Sequence, residues 1–420
     1  MNSTSVWQSR MKALGPGLLW AGAAIGVSHL VQSTRAGASY GFALVWVVIV
    51  ANLFKYTAFE FGPRYAAAMG ESLLEGYQRV GKWTLPVFLV MTFGTMWTIQ
   101  AAVTVVTAGL ANKIFGTALG PLGWSTIVLL ICAGILTIGK YPLLDKLIKV
   151  IIIVLSLSTI LAVIVALNHG SSARADFIAP EIWTVAGISF IVALMGWMPS
   201  AIDISVWHSL WTIERKKETG FAPSLNDALF DFRLGYFGTA ILATGFLALG
   251  ALIMYGSGEI FANSGAAFAG QLLSLYTSTL GEWSYLLVAV AAFTTMFSTT
   301  LTVTDAFPRV LARSTELVFP EKFQGKDNKQ LYWIWMAIVL GGGLIIIGLF
   351  LKGMTILVDL ATTISFMTAP ILAYINYRAV TGDWMPEGTQ PGPKLRLFNL
   401  ISMIFLTGFA LFFIIWRFFV

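Results

Sequence analysis

Along this chain polar residues gather in short groups, and between the groups lie apolar runs of roughly 18 residues or more. That is the length at which a helix rising ~1.5 Å per residue crosses a ~30 Å hydrocarbon layer. Cutting at charges, Gly/Pro groups and polar runs predicts eleven helical spans, near 14–40, 42–66, 84–112, 122–139, 146–168, 182–211, 231–256, 283–307, 331–351, 354–377 and 397–419. A membrane barrel would instead alternate polar and apolar residues in strands of ~10, and no such alternation is present. The expected fold class is an all-α polytopic membrane protein. The longest loops, near 213–230, 257–282 and 380–395, are too short to fold alone, so residues 1–420 read as a single membrane domain.

Composition agrees with lipid as the solvent: 57% of residues are hydrophobic and 11% charged, against about 25% charged in a soluble domain. A formal charge of +6 would suit a nucleic-acid partner, but most of the 26 Lys and Arg residues fall in alternate loops, beginning before the first span. The positive-inside rule explains that asymmetry and predicts a cytoplasmic N-terminus, an external C-terminus and no nucleic acid. The expected setting is a cell membrane, of the bacterial inner-membrane type. The polar start runs into span 1 without a small-residue cleavage site, so the first span is expected to be retained. Cys132, the only cysteine, lies within an apolar span, which excludes disulfides and a cysteine metal cluster. Phosphate-binding glycine loops, His-Glu-x-x-His and nucleophile-elbow motifs are missing, so neither an enzyme nor a cofactor is expected.

Two spans carry interruptions at mid-depth. Span 1 reads Gly22-Ala23-Ala24-Ile25-Gly26-Val27-Ser28-His29 and then Gln32-Ser33-Thr34-Arg35; span 6 reads Met195-Gly196-Trp197-Met198-Pro199-Ser200-Ala201-Ile202-Asp203. Matched breaks five spans apart are the pattern of a five-plus-five inverted repeat, here 14–168 and 182–377, with 397–419 as an eleventh span. Irregular backbone is not tolerated against lipid, so the breaks should line a cavity. The alternative is that Gly26 and Pro199 only kink two helices for packing. The cavity reading makes Gly26, Ser28, His29, Met195, Trp197, Met198, Ser200 and Asp203 the candidate substrate site, with Arg35 as a gate or charge partner.

Around the breaks, Leu14-Gly15-Pro16-Gly17 opens span 1 and Arg35-Ala36-Gly37-Ala38-Ser39-Tyr40-Gly41 closes it; Leu44-Val45-Trp46-Val47 and Ala51-Asn52-Leu53 follow, and Met198-Pro199 stands in span 6. In these motifs, over essentially its whole length, the chain resembles the NRAMP family of divalent-metal transporters. The resemblance implies a LeuT-like fold. It carries over few of the family's functional residues. The family's Asp-Pro-Gly-Asn, whose Asp and Asn bind metal, falls on Gly26-Val27-Ser28-His29. Its Met-Pro-His falls on Met198-Pro199-Ser200, which keeps the thioether but loses a histidine linked to proton movement, and its acidic residues of span 3 fall on Gln100 and Val103.

A dehydrated divalent cation needs several oxygen or nitrogen ligands and partial neutralisation of its charge. One thioether, one imidazole and some carbonyls suit a neutral solute or a soft monovalent ion better. The expected function is therefore a secondary transporter working by alternating access on a small solute, with any coupling ion left open. The alternative is a Mn²⁺/Mg²⁺-type transporter with a site rebuilt from His29, Met198 and Asp203.

Ionisable groups within spans are costly and need reasons. His29 is a ligand or proton carrier, or else a structural histidine bonded to a carbonyl. Asp203 binds a cation or proton, or pairs with Arg35. Lys55 and Glu60, five apart and so not i,i+4 neighbours, are each expected to find a partner on another helix. The hydroxyl-rich run from Thr294 to Asp305 reads mainly as helix packing, Asp359 as lying near the outer end of span 10, and Trp207 and His208 as membrane-interface anchors. Trp197, beside the break, is a candidate for substrate packing. Gly341-Gly342-Gly343 reads as a close helix contact.

Overall fold

The computed structural model describes residues 11–419 except 12, 117–118, 139–140, 171–172, 175, 324–328 and 351–352. Most of the polar start, read above as uncleaved, lies outside them. The elements are α1 (Pro16–Ala24), a π-helical segment (Ser28–Ser33), α2 (Thr34–Tyr40), a 3₁₀ turn (Gly41–Leu44), α3 (Val45–Met69), α4 (Leu73–Val80), α5 (Thr84–Phe115), α6 (Pro121–Ile138), α7 (Tyr141–His169), α8 (Val185–Gly196), α9 (Ile204–Thr219), α10 (Leu225–Leu249), a second π-helical segment (Gly250–Met254), α11 (Gly265–Leu280), α12 (Ser284–Val318), α13 (Pro320–Phe323), α14 (Lys329–Leu349), α15 (Met354–Thr381) and α16 (Pro393–Phe419). Among the described residues there is no strand.

Span 1 is α1, the first π-helical segment and α2; span 6 is α8 and α9. Both are broken where the sequence interrupts, and the architecture is the five-plus-five inverted repeat. Eight helical stretches among the described residues are long and apolar enough to cross a membrane unaided. Three of the eleven expected spans fall outside that count: spans 1 and 2 form one stretch, Ser28–Met69, span 5 enters only as the shorter Ile152–Asn168, and span 6 is divided so that α8 has 12 residues. Cys132 is buried in α6.

Two features depart from the hydropathy reading. Helix α12 runs to Val318, past the expected end near 307. The charges that mark a boundary in sequence are paired sideways instead: Arg313 donates to Glu75 of α4 at 2.6 and 2.8 Å and to Glu316 at 2.6 Å, so the helix continues through them. The loop 257–282 also contains α11, capped by Ser264, whose hydroxyl accepts from the Ala267 N–H.

Glycines set how closely the spans approach. A Cβ on Gly17 would lie 2.4 Å from the Asp231 carbonyl oxygen, and one on Gly235 2.4 Å from the carbonyl oxygen of Gly17. At the other end of span 1, a Cβ on Gly37 would lie 2.0 Å from the Leu247 oxygen and one on Gly250 2.2 Å from the Thr34 oxygen. Span 1 is therefore held against span 7 at both ends, above and below its break. The Asp231 carboxylate adds a cap by accepting the N–H groups of Gly15 (3.1 Å) and Gly17 (2.6 Å) at the start of α1. Gly62 of α3 meets the Ser205 backbone of α9 in the same way, its Cβ position 2.3 Å from that oxygen. Gly342 of α14 lies against Trp97 and Gly343 against Gln100, so the glycine run does permit a close approach, to span 3.

Candidate functional site

Helix α1 stops because Ile25 leaves the helical region (ψ 80°). Its end is tied by the hydroxyl of Thr299 on α12, 3.0 Å from the Gly22 oxygen and 3.1 Å from that of Ile25. Gly26 makes room for that hydroxyl: a Cβ there would fall 2.7 Å from a Thr299 side-chain carbon. The hydroxyl-rich run thus contributes to the break itself and not only to packing. His29 is fully buried, with Nδ1 2.6 Å from the Ser28 hydroxyl and Nε2 3.0 Å from the Thr239 carbonyl oxygen of α10. The Thr239 carbonyl can only accept, so Nε2 carries a hydrogen, while the Ser28 hydroxyl facing Nδ1 also lies 2.7 Å from the Ala24 oxygen. Both ring nitrogens are occupied by protein.

Helix α8 stops at Gly196, whose missing Cβ lets the Thr362 carbonyl of α15 pack directly on it; a Cβ would lie 1.9 Å from that oxygen. Chain 197–203 then turns without helix before α9 begins. Two oxygens at the end of α8 and one in this stretch are met by a single side chain. Lys55 of α3, completely buried, donates from Nζ to the oxygens of Met195 (2.6 Å), Gly196 (2.8 Å) and Ser200 (3.0 Å). All three ammonium hydrogens are satisfied, and the positive charge sits at the negative end of the α8 dipole. Lys55 does find its partner on another helix. Glu60 finds its main one on its own, Arg64 at 2.6 Å, with Arg233 of α10 at 3.7 Å; the neighbour at i+4 was Arg64, not Lys55.

Between the breaks lies a cavity of about 30 Å³ lined by Ser28, Trp197, Ser200, Asp203, Trp207 and Thr299, with Ala, Val and Ile side chains closing the rest. Of the sequence candidates, Ser28, Trp197, Ser200 and Asp203 reach it. Gly26, His29, Met195 and Met198 do not line it; Met195 contributes a backbone oxygen to Lys55, and the Met198 side chain is buried. Trp197 is fixed by donating its indole N–H to Ser365 at 2.8 Å. Two residues were not read as site residues in sequence: Lys55, and Trp207, which is buried in the protein and not at the membrane interface, as is His208. The signal for Trp207 was its spacing, since Asp203, Trp207 and Trp211 fall at i, i+4 and i+8 on one face of α9.

Over residues 17–415 the sequence matches the profile of the family described as natural resistance-associated macrophage protein-like, Nramp. The chain belongs to the Nramp family. A protein of Pasteurella multocida bearing only the description "uncharacterized" is 39% identical over 416 residues, 98% of this chain and 93% of that protein. The crystal structure of an Eremococcus coleocola manganese transporter, in complex with an aromatic bis-isothiourea compound, superposes with a TM-score of 0.73 at 14% identity, covering 98% of this chain and 88% of that one. MhsT in complex with L-phenylalanine superposes with a TM-score of 0.65 at 16% identity, covering 96% and 97%. At such identities these structures establish the shared LeuT fold. The chain is a multi-pass Nramp-family transporter and the expectation of a LeuT-type architecture holds.

Among the described residues no three His, Cys, Asp or Glu side chains converge. Asp203 is the only charged residue on the cavity wall. The span-6 carbonyls that stand nearest the break already hold an ammonium.

The two ends of the bundle differ. On one face Arg35 of α2 binds Asp359 of α15 through Nη1, at 2.8 and 2.9 Å from the two carboxylate oxygens; Gln32 adds a bond at 3.1 Å, and the Arg35 guanidinium stacks 4.7 Å from the Phe190 ring centre. Arg35 therefore pairs with Asp359 and not with Asp203. On the face carrying α4 a vestibule of about 690 Å³ opens, lined by charged residues including Glu71, Glu75, Glu214, Lys217, Arg309 and Arg313. Trp207, which lines the central cavity, packs edge-on against Trp211 and Phe307 with ring centres 5.0–6.2 Å apart. Asp305 binds Trp211 (3.4 Å) together with Arg309 (2.7 Å) and Tyr332 (2.8 Å), which line the vestibule.

Proposed function

We propose that this Nramp-family protein is a secondary transporter that moves a small organic solute by alternating access, and not a transition metal by a proton-coupled route. The solute binds between the breaks of spans 1 and 6. The repeats are 14–168 and 182–377, with 397–419 outside them. The observation that carries the reading is Lys55: its ammonium occupies the backbone oxygens of the span-6 break, where a transported cation would need ligands, and a second cation there meets like-charge repulsion in a low dielectric. The rival reading is the manganese transport named for the Eremococcus coleocola protein, and it would require a rebuilt site around Asp203. Calorimetric titration of the purified chain with Mn²⁺, Cd²⁺ and Mg²⁺ is expected to give no saturable heat. Saturable binding that disappears in Asp203→Ala would establish the metal reading instead.

The protein sits in a cell membrane of the bacterial inner-membrane type, with the N-terminus cytoplasmic and the C-terminus outside. On that orientation the 690 Å³ vestibule faces the cytoplasm, and the Arg35–Asp359 pair closes the outer mouth. The side chains of the pair are 22% and 34% exposed, so the bond is worth ~1 kcal/mol after screening. Asp359→Asn is then expected to shift the population toward outward-open severalfold. The check is a Ser28→Cys probe in a Cys132→Ser background. Membrane-impermeant maleimide applied from outside should label it severalfold faster when Asp359 is Asn; equal rates would remove the pair from the gate.

A further inference from the structure

The central cavity leaves one acceptor and one donor without partners. Asp203 is 7% exposed, and its Oδ1 has no hydrogen-bond partner; Trp207 is 2% exposed, and its indole Nε1–H has none either. Both residues line this cavity, and Asp203 also borders a second one of about 10 Å³ beside Thr92, Thr95 and Ser365. The Val206 and Trp207 N–H groups already bond back to the Asp203 oxygen, at 2.9 and 3.5 Å, so the helical turn begins at Asp203 and puts the two side chains on one face, one turn apart. Buried polar groups without partners cost free energy, and a site that leaves a matched pair of them open is shaped for a group that satisfies both.

Resting on the small-solute reading, we propose that the transported solute is neutral and carries a carboxamide- or lactam-type edge, its N–H donated to Asp203 and its carbonyl accepting from Trp207. Charge favours a neutral group. Asp203 and the Lys55 ammonium behind the break sum to zero, so a cation or an anion would add an uncompensated charge in a water-poor interior. An amine would leave the Trp207 N–H unmatched, and a carboxylate would face Asp203. The cavity volume of about 30 Å³ holds roughly two water-sized spheres, so it must widen to take a whole solute. Apolar walls from Val27, Val103 and Val303 complete it.

The test is thermal-shift and calorimetric titration of the full chain in detergent. Acetamide, 2-pyrrolidone and uracil serve as amide-edged probes, and ethylammonium, acetate and Mn²⁺ as cationic, anionic and metal probes. The expected result is saturable binding of at least one amide-edged probe. Trp207→Phe, which keeps the ring and removes the N–H, should weaken it about tenfold. Asp203→Asn keeps an acceptor oxygen and should hold that binding within a few-fold, whereas Asp203→Ala should lose more than about tenfold. Binding of ethylammonium or acetate alone would overturn the amide assignment while leaving the solute reading in place. Binding of Mn²⁺ alone would overturn both. Failure of every amide-edged probe on folded, monodisperse protein, or unchanged affinity in Trp207→Phe, also overturns the assignment.

Discussion

Replacing Lys55 with methionine is expected to abolish transport while leaving the protein in the membrane. Methionine fills a comparable unbranched volume, so the change removes the charge and the three donors more than the packing. The oxygens of Met195, Gly196 and Ser200 then lose the group that holds them at 2.6–3.0 Å. Each orphaned buried acceptor costs about 1–3 kcal/mol. Two of them end α8 and the third lies in the non-helical stretch 197–203, so that stretch loses its tie to the end of α8 and the wall carrying Asp203 is no longer fixed. A displacement of ~1 Å at such a site is worth on the order of a hundredfold in rate. Solute counterflow in proteoliposomes should fall by about that factor, and the thermal midpoint should drop. Lys55→Arg is expected to fail similarly, because a planar fork does not match three oxygens arranged around one nitrogen. Wild-type flux in Lys55→Met would show that the break holds its shape without the ammonium.

The second large effect is steric. Gly37→Ala places a methyl 2.0 Å from the Leu247 oxygen and 2.7 Å from the Ala251 nitrogen, and these are backbone atoms of span 7 that cannot rotate away. Overpacking of this kind costs roughly 1–3 kcal/mol or more. The yield of monodisperse protein should fall sharply, measured by size exclusion after identical solubilisation. Gly94→Ala is the control, since nothing lies within 4 Å of a Cβ there. Equal yields from the two variants would mean that spans 1 and 7 separate at little cost, which would contradict their packing as one body.

Much of the fold was legible because its cause is local. Eleven spans and two breaks follow from apolar length and from glycine and proline at mid-depth. The misplaced end of α12 shows the limit: hydropathy counts a charge as solvent-facing, whereas Arg309 and Arg313 are absorbed by partners on other helices. The lining of the candidate cavity was half legible. Asp203, Ser28, Trp197 and Ser200 follow from the position of the breaks. His29 stood out for its chemistry, yet its function in the fold depends on the Thr239 carbonyl 210 residues away. The meaning of Lys55 depends in the same way on oxygens 140–145 residues away. Residue type reveals that a buried charge needs partners; only the tertiary fold names them. Arg35 and Asp359 illustrate the same point, since the pairing considered for Arg35 in sequence was with Asp203.

An ion solvated by unwound backbone normally arrives from one compartment and leaves to the other, and a charge crossing the membrane potential carries ~2.3 kcal/mol per 100 mV. In this protein the charge at the span-6 break is tethered to span 2 by a lysine side chain, so it never leaves. If a neutral solute is the cargo, that site contributes no current and draws no work from the membrane potential. Reconstituted uptake should then be the same with or without an imposed voltage, and the direction of net movement would be set by concentration gradients alone.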